Sequence, residues 1–140
     1  MEKIKTPHLL VIGGTGFIGH HVLKVASNKK WLTSSISLNP PSKEREVEGV
    51  RYIQLDLCQR DKVQTVIRNE TYDYIVNLGG YIDHTLFKDG GRRLIESHFV
   101  GLQNLIENLN RERLQRFVQI GSSDEYGNCL LYTSDAADEE

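Results

Sequence analysis

Several large protein classes are excluded by what this chain has little of. Two cysteines in 140 residues, Cys58 and Cys129, cannot build a disulfide framework, so reduced thiols are expected. No run approaches the roughly 20 consecutive apolar residues of a membrane span. Met1-Glu2-Lys3-Ile4-Lys5 is not an apolar signal segment, and the expectation is a cytoplasmic protein with no membrane partner. A net charge of −2 provides no surplus of either sign, which argues against a nucleic-acid or polyanion binder. No internal repeat, low-complexity segment or metal-ligand cluster is present. What remains is 39% hydrophobic and 26% charged, enough for one globular domain with a real core.

The most informative segment is Gly13-Gly14-Thr15-Gly16-Phe17-Ile18-Gly19, directly after the apolar run His8-Leu9-Leu10-Val11-Ile12. A short buried strand runs into a glycine-rich turn, and a helix begins inside that turn. Gly13, Gly16 and Gly19, spaced G-x-x-G-x-x-G, remove Cβ atoms where backbone must approach a ligand. The new helix points unpaired N–H groups and the positive end of its dipole at that ligand. A dinucleotide pyrophosphate fits such a site, with Thr15, Phe17 and Ile18 supplying N–H groups and walls.

Strand and helix patterns alternate along the rest of the chain. Strands are expected at His8–Ile12, Ser34–Leu38, Arg51–Leu55, Tyr74–Leu78 and Arg116–Ile120. Helices are expected at Gly16–Asn28, Asp61–Asn69 and Arg92–Asn110, the last with an apolar face of Leu94, Ile95, Phe99, Leu102, Leu105, Ile106 and Leu109. Pro40 and Pro41 end the second strand. This order predicts an α/β fold, a doubly wound parallel sheet of the Rossmann type with helices on both faces.

In such a sheet the ligand lies beyond the carboxyl ends of the strands. An acidic residue after the second strand would bind the ribose 2′-hydroxyl of NAD. Here Asn39 stands near that place, with Lys43 and Arg45 shortly after. The missing carboxylate and the two cations favour NADP over NAD. The other reading is an exposed loop in which Lys43 and Arg45 balance Glu44 and Glu46.

The glycine spacing resembles the short-chain dehydrogenase/reductase superfamily, and Gly-Gly-Thr-Gly-Phe-Ile-Gly is similar to its extended branch of nucleotide-sugar epimerases and dehydratases. The resemblance covers Leu9 to Gly127 and implies roles for further residues. Asp56, followed by Leu57, is similar to the residue that contacts adenine; a helix cap or Asx turn is the alternative. Asn77-Leu78-Gly79-Gly80 is similar to the segment along which ribose and pyrophosphate pass, and Tyr81, Asp83 and His84 follow where substrate could reach. On the long helix, His98 stands three residues before Gly101 where the family often has Asn.

Gly121-Ser122-Ser123-Asp124-Glu125-Tyr126-Gly127 resembles the catalytic segment of the extended enzymes. By spacing from Tyr126, Ser122 matches the hydroxyl that bonds the reacting oxygen, with Ser123 next. Asp124-Glu125 is similar to the acidic pair of dehydratases, displaced by one place. The family's Tyr-x-x-x-Lys pair is absent: none of the six tyrosines has Lys four places on.

Cys129 to Glu139 is similar to the translation of a common sequencing adaptor; the alternative is a genuine acidic C-terminal tail. Setting aside Asp135, Asp138, Glu139 and Glu140 moves the charge from −2 to +2. The expectation is therefore an incomplete NAD(P)-binding domain over residues 1–128 and a non-native tail over 129–140. The resemblance implies transient hydride transfer at a carbon of a nucleotide sugar, with a homodimer as the full-length enzyme. Two alternatives stay open: an NADPH-dependent carbonyl reductase of the same superfamily, and a non-catalytic NAD(P)-binding regulatory protein.

Overall fold

The computed structural model describes residues 5–80 and 87–122. Five strands form one parallel sheet: β1 (His8–Ile12), β2 (Leu32–Ser37), β3 (Arg51–Gln54), β4 (Tyr74–Asn77) and β5 (Arg116–Gln119). Their order across the sheet is β3-β2-β1-β4-β5. Chain order therefore reverses between β1 and β4, and the ends of these two strands form the switch point.

Side chains alternate across β1 as a strand requires. Leu9 and Val11 join Leu23 and Ala26 of helix α1 (Phe17–Asn28) in one core cluster. Leu10 and Ile12 point the other way. They pack with Ile36, Leu55 and Ile75, with Val63 and Ile67 of helix α2 (Arg60–Ile67), and with Leu105 of helix α4 (Gly101–Asn108). Each fully buried aliphatic side chain contributes roughly 2 kcal/mol of transfer free energy. Helices lie on both faces of the sheet, as the alternating pattern predicts.

β2 is unusual for a central strand, since Thr33, Ser34 and Ser35 are all buried. Hydroxyls at such depth need partners. Ser34 Oγ bonds His8 Nε2 at 2.9 Å, and Ser35 Oγ lies 3.4 Å from Ser37 Oγ. The small side chains also give room to the turn above them. A Cβ on Gly14 would fall 2.3 Å from Ser35 Oγ.

The connection between β4 and β5 differs from the single helix expected over Arg92–Asn110. Helix α3 (Phe87–Ile95) starts earlier, and a π-helical turn (Glu96–Val100) separates it from α4. The extra residue of a π turn rotates the following face relative to the preceding one. Leu105 is consequently buried, while Ile95 and Phe99 stay exposed, Phe99 at 69%. The expected single apolar stripe is thus split in two. Among the described residues no helix is long and apolar enough to cross a membrane.

Candidate functional site

The turn after β1 is shaped by close approaches that only glycine allows. Gly13 adopts φ +79°, in the left-handed region. A Cβ there would lie 3.2 Å from both Gly79 N and the Leu78 carbonyl carbon, so the β1 and β4 turns touch through backbone. Gly19 sits even tighter: a Cβ would fall 2.2 Å from Gly13 O. Gly16 is different. Its absent Cβ would meet only Gly13 O, at 3.3 Å, and open space lies around it. Gly13, Gly14 and Gly19 therefore hold the turn together, and Gly16 keeps it open.

Gly16 is also the N-cap of α1. It has no side chain to cap the helix, and no acid stands in the first turn. The first N–H groups of a helix lack intrahelical acceptors, so this end presents donors and a positive dipole to whatever lies before it.

What lies before it is a cleft of about 280 Å³ at the carboxyl ends of β1 to β4. Gly13, Thr15 and Gly16 form its floor, and Leu78, Gly79 and Gly80 form the side along β4. Ser37, Leu38 and Asn39 close it after β2, and Asp56, Leu57 and Cys58 after β3. Ser97, from the π turn, enters from above. The cleft thus brings together Gly13, Gly16, Asn39, Asp56, Leu57, Leu78, Gly79 and Gly80 from the sequence reading. Gly19 lies behind it as a packing residue. Phe17 and Ile18 carry exposed side chains on the first turn of α1, outside the lining; the Phe17 ring meets His21 edge-on, with centroids 4.9 Å apart.

The walls are fixed by polar contacts. Asp56 Oδ1 accepts the Cys58 N–H at 2.9 Å, an Asx turn at the cleft edge. Asn77, 4% exposed, accepts the Gly79 N–H on Oδ1 at 3.0 Å and donates through Nδ2 to Gln119 Oε1 at 2.8 Å. One amide therefore sets the β4 turn and ties it to β5. Burial pushes the Cys58 thiol pKa up, and the Asp56 carboxylate adds to the shift. The thiol stays protonated and donates to the Glu96 carbonyl at 3.2 Å.

The β2–β3 loop folds back over the glycine turn. The Arg45 carbonyl lies 2.9 Å from His20 Nδ1, and its guanidinium donates to the Thr15 carbonyl at 3.5 Å. Arg45 thus stands beside the turn; Lys43 is exposed further out on the loop.

Ser122 is exposed, two residues beyond the Ile120 N–H that bonds the Asn77 carbonyl at 3.1 Å. It stands at the carboxyl end of β5, outside the cleft lining. Ser123, Asp124, Glu125, Tyr126, Gly127 and the 129–140 segment lie outside the described residues, as do Tyr81, Asp83 and His84. Sequence reasoning missed Ser37, Cys58 and Ser97 as lining residues. Ser37 was findable as the last residue of β2; the other two arrive through loop and π-turn geometry that periodicity does not report.

Solved structures share this architecture. A UDP-Glc/GlcNAc 4-epimerase from Campylobacter jejuni superposes with TM-score 0.75 at 21% identity, over 86% of this chain and 39% of that one. A Thermus thermophilus UDP-glucose 4-epimerase, solved with NAD, gives 0.63 at 22% identity, over 72% of this chain and 33% of that one. Among curated sequences, a dTDP-D-glucose 4,6-dehydratase of Dictyostelium discoideum is 22% identical, over 91% of this chain and 31% of its own length. A dTDP-glucose 4,6-dehydratase of Streptomyces niveus is 25% identical, over 86% and 39%. The chain therefore spans about a third to two-fifths of the length of these two relatives. The model of the NAD dependent epimerase/dehydratase family matches residues 9–139, nearly the whole chain, and the chain belongs to that family.

Proposed function

We propose that this chain is the N-terminal, cofactor-binding part of an NAD(P)-dependent nucleotide-sugar epimerase or dehydratase. The observation that carries the reading is the cleft at the switch point, into which an uncapped helix N-terminus and side-chain-free turns open. Gly13, Gly16 and Gly19 shape the pyrophosphate seat, with the N–H groups of Phe17 and Ile18 facing the anion. Asn39, Asp56 and Leu57 flank the adenosine, and Leu78, Gly79 and Gly80 let the ribose and pyrophosphate pass along β4. The bound nicotinamide would accept and return a hydride at a sugar carbon. Ser122, with Ser123 beside it, would donate a hydrogen bond to the reacting oxygen, and Asp124 would move a proton.

The 2′ end of the adenosine ribose favours NADP. Asn39 offers no carboxylate to repel a phosphate, and the Arg45 guanidinium lies beside the turn. Residues 1–128 act as the binding domain; residues 129–140 take no part. The 140-residue chain has no Tyr-x-x-x-Lys pair, so it binds cofactor without turnover.

Titration calorimetry with NADP and NAD tests this. NADP should bind more tightly, and Arg45→Ala should remove about 1 kcal/mol of that preference, the scale of an exposed charge contact. Equal affinities in the native chain would remove the NADP assignment, and absence of binding to either would remove the cofactor reading itself. Sustained epimerase or dehydratase turnover by the 140-residue chain would contradict the assignment of this piece to binding alone.

A further inference from the structure

The wall after β3 is held by the long connection between β4 and β5, and the contact sits on one buried side chain. Asn104, 6% exposed in α4, donates Nδ2 to the Leu57 carbonyl at 2.8 Å. Around it the two segments press together. A Cβ on Gly101 would fall 3.2 Å from Leu57 Cβ. The Cys58 thiol reaches the Glu96 carbonyl, which also accepts the Gly101 N–H in the wide bond of the π turn. Ser97, next in sequence, lines the same cleft as Leu57. The wall and the helix that carries Ser97 are thus one clamped unit.

Without Asn104 the Leu57 carbonyl would lose its buried donor, and the Asp56–Leu57 wall would have to shift outward toward water to recover one. That wall borders the end of the cleft beyond β2 and β3, where the adenosine half of a dinucleotide lies in such folds. We propose that Asn104 is a positioning residue for the adenosine half of the cofactor, setting the width of the cleft through the Leu57 carbonyl without touching the ligand. The inference rests on the NAD(P) reading above.

The experiment uses the full 140-residue chain and two probes followed by NMR titration: ADP-ribose, which fills the adenosine side, and inorganic pyrophosphate, which needs only the glycine turn. Asn104→Leu keeps the volume and removes the donor. It should weaken ADP-ribose about tenfold, the equivalent of one lost hydrogen bond, and leave pyrophosphate within about twofold. Asp73→Ala, a destabilising change at the far end of the sheet, should leave both probes within about twofold. Should Asn104→Leu not fold, Gly101→Ala pushes a methyl group onto Leu57 from a helical site that tolerates alanine, and should weaken ADP-ribose alone by about threefold. Unchanged ADP-ribose affinity in the folded variant would overturn the proposal. So would an equal loss of both probes, or an equal loss in Asp73→Ala, since either marks general loosening. A native chain that binds neither probe overturns the cofactor reading, and this inference with it.

Discussion

The two ends of the sheet are built on opposite rules. At the amino ends, polar side chains pair with one another and with the backbone. Asp73 Oδ2 accepts the His8 N–H at 2.7 Å and Arg113 Nη2 at 2.6 Å, while Oδ1 accepts Arg113 Nε at 3.2 Å. The His8 ring spans Thr71 O and Ser34 Oγ and lies against Tyr72. At the carboxyl ends of β1 and β4, side chains are removed instead. Gly13, Gly16, Gly79 and Gly80 leave bare backbone around an open cleft. The first end closes the fold; the second leaves the first N–H groups of α1 for a ligand to satisfy. Stability and binding are therefore separable by mutation, except where a glycine serves both.

Gly19→Ala breaks the comparison most severely, because its methyl would collide with the backbone of Gly13 and Gly14. Urea unfolding should show a loss of about 3 kcal/mol, and nucleotide binding should go with it. A variant that folds and binds like the parent would show that the turn is loose.

Asp73→Ala comes next and separates the two ends. It strips a mostly buried Arg113 of its counter-charge and His8 N of its acceptor, at about 2–3 kcal/mol. Stability should fall while ADP-ribose affinity holds; a parallel fall in affinity would mean that the ends are coupled.

His8 gives a smaller, pH-dependent effect. Burial lowers its pKa below the ordinary 6.5, with the Thr71 carbonyl opposing the shift. The folded state thus prefers the neutral ring. Its contribution is fully present above pH 6.5 and declines as the pH falls below that value, until the folded ring also protonates. Melting curves between pH 7.5 and 5.5, about one unit to either side, should drop more steeply for the parent than for His8→Gln. Parallel slopes would count against the buried ring.

The smallest effect is at Tyr72, whose buried hydroxyl has no hydrogen-bond partner among the described residues. Tyr72→Phe should be neutral or stabilising by up to about 1 kcal/mol in denaturant titrations. Burial pushes the phenol up from 10.0 to about 12, so the folded state favours the protonated form. That contribution is present below pH 10 and is lost as the pH rises through about 12. A cost above 1 kcal/mol on removing the hydroxyl would reveal a partner for it.

Much of this was legible in the residues. His8–Ile12 reads as a strand because five apolar or β-compatible residues meet a glycine turn, and β1 has those bounds. The cleft followed from one topological rule applied to each strand end. β2 begins at Leu32, two residues before the expected Ser34, and nothing in the pattern signals that polar Thr33 is buried inside it. Gly14 stands outside the spaced triplet, and its constraint comes from Ser35, a strand residue 21 positions away. The π turn was invisible for the same reason. It lies beside the clamp between Leu57 and Asn104, a contact between residues 47 apart. Asp56 shows how both readings of one residue can hold: it makes an Asx turn and also lines the cleft.

The most direct test of the central claim is a backbone-amide NMR titration of the chain with NADP. Shifts are expected at Gly13–Gly19, at Asp56 and Leu57, and at Leu78–Gly80, with His8, Asp73 and Arg113 unmoved. Shifts confined to the amino ends of the strands, or none at saturating nucleotide, would contradict it.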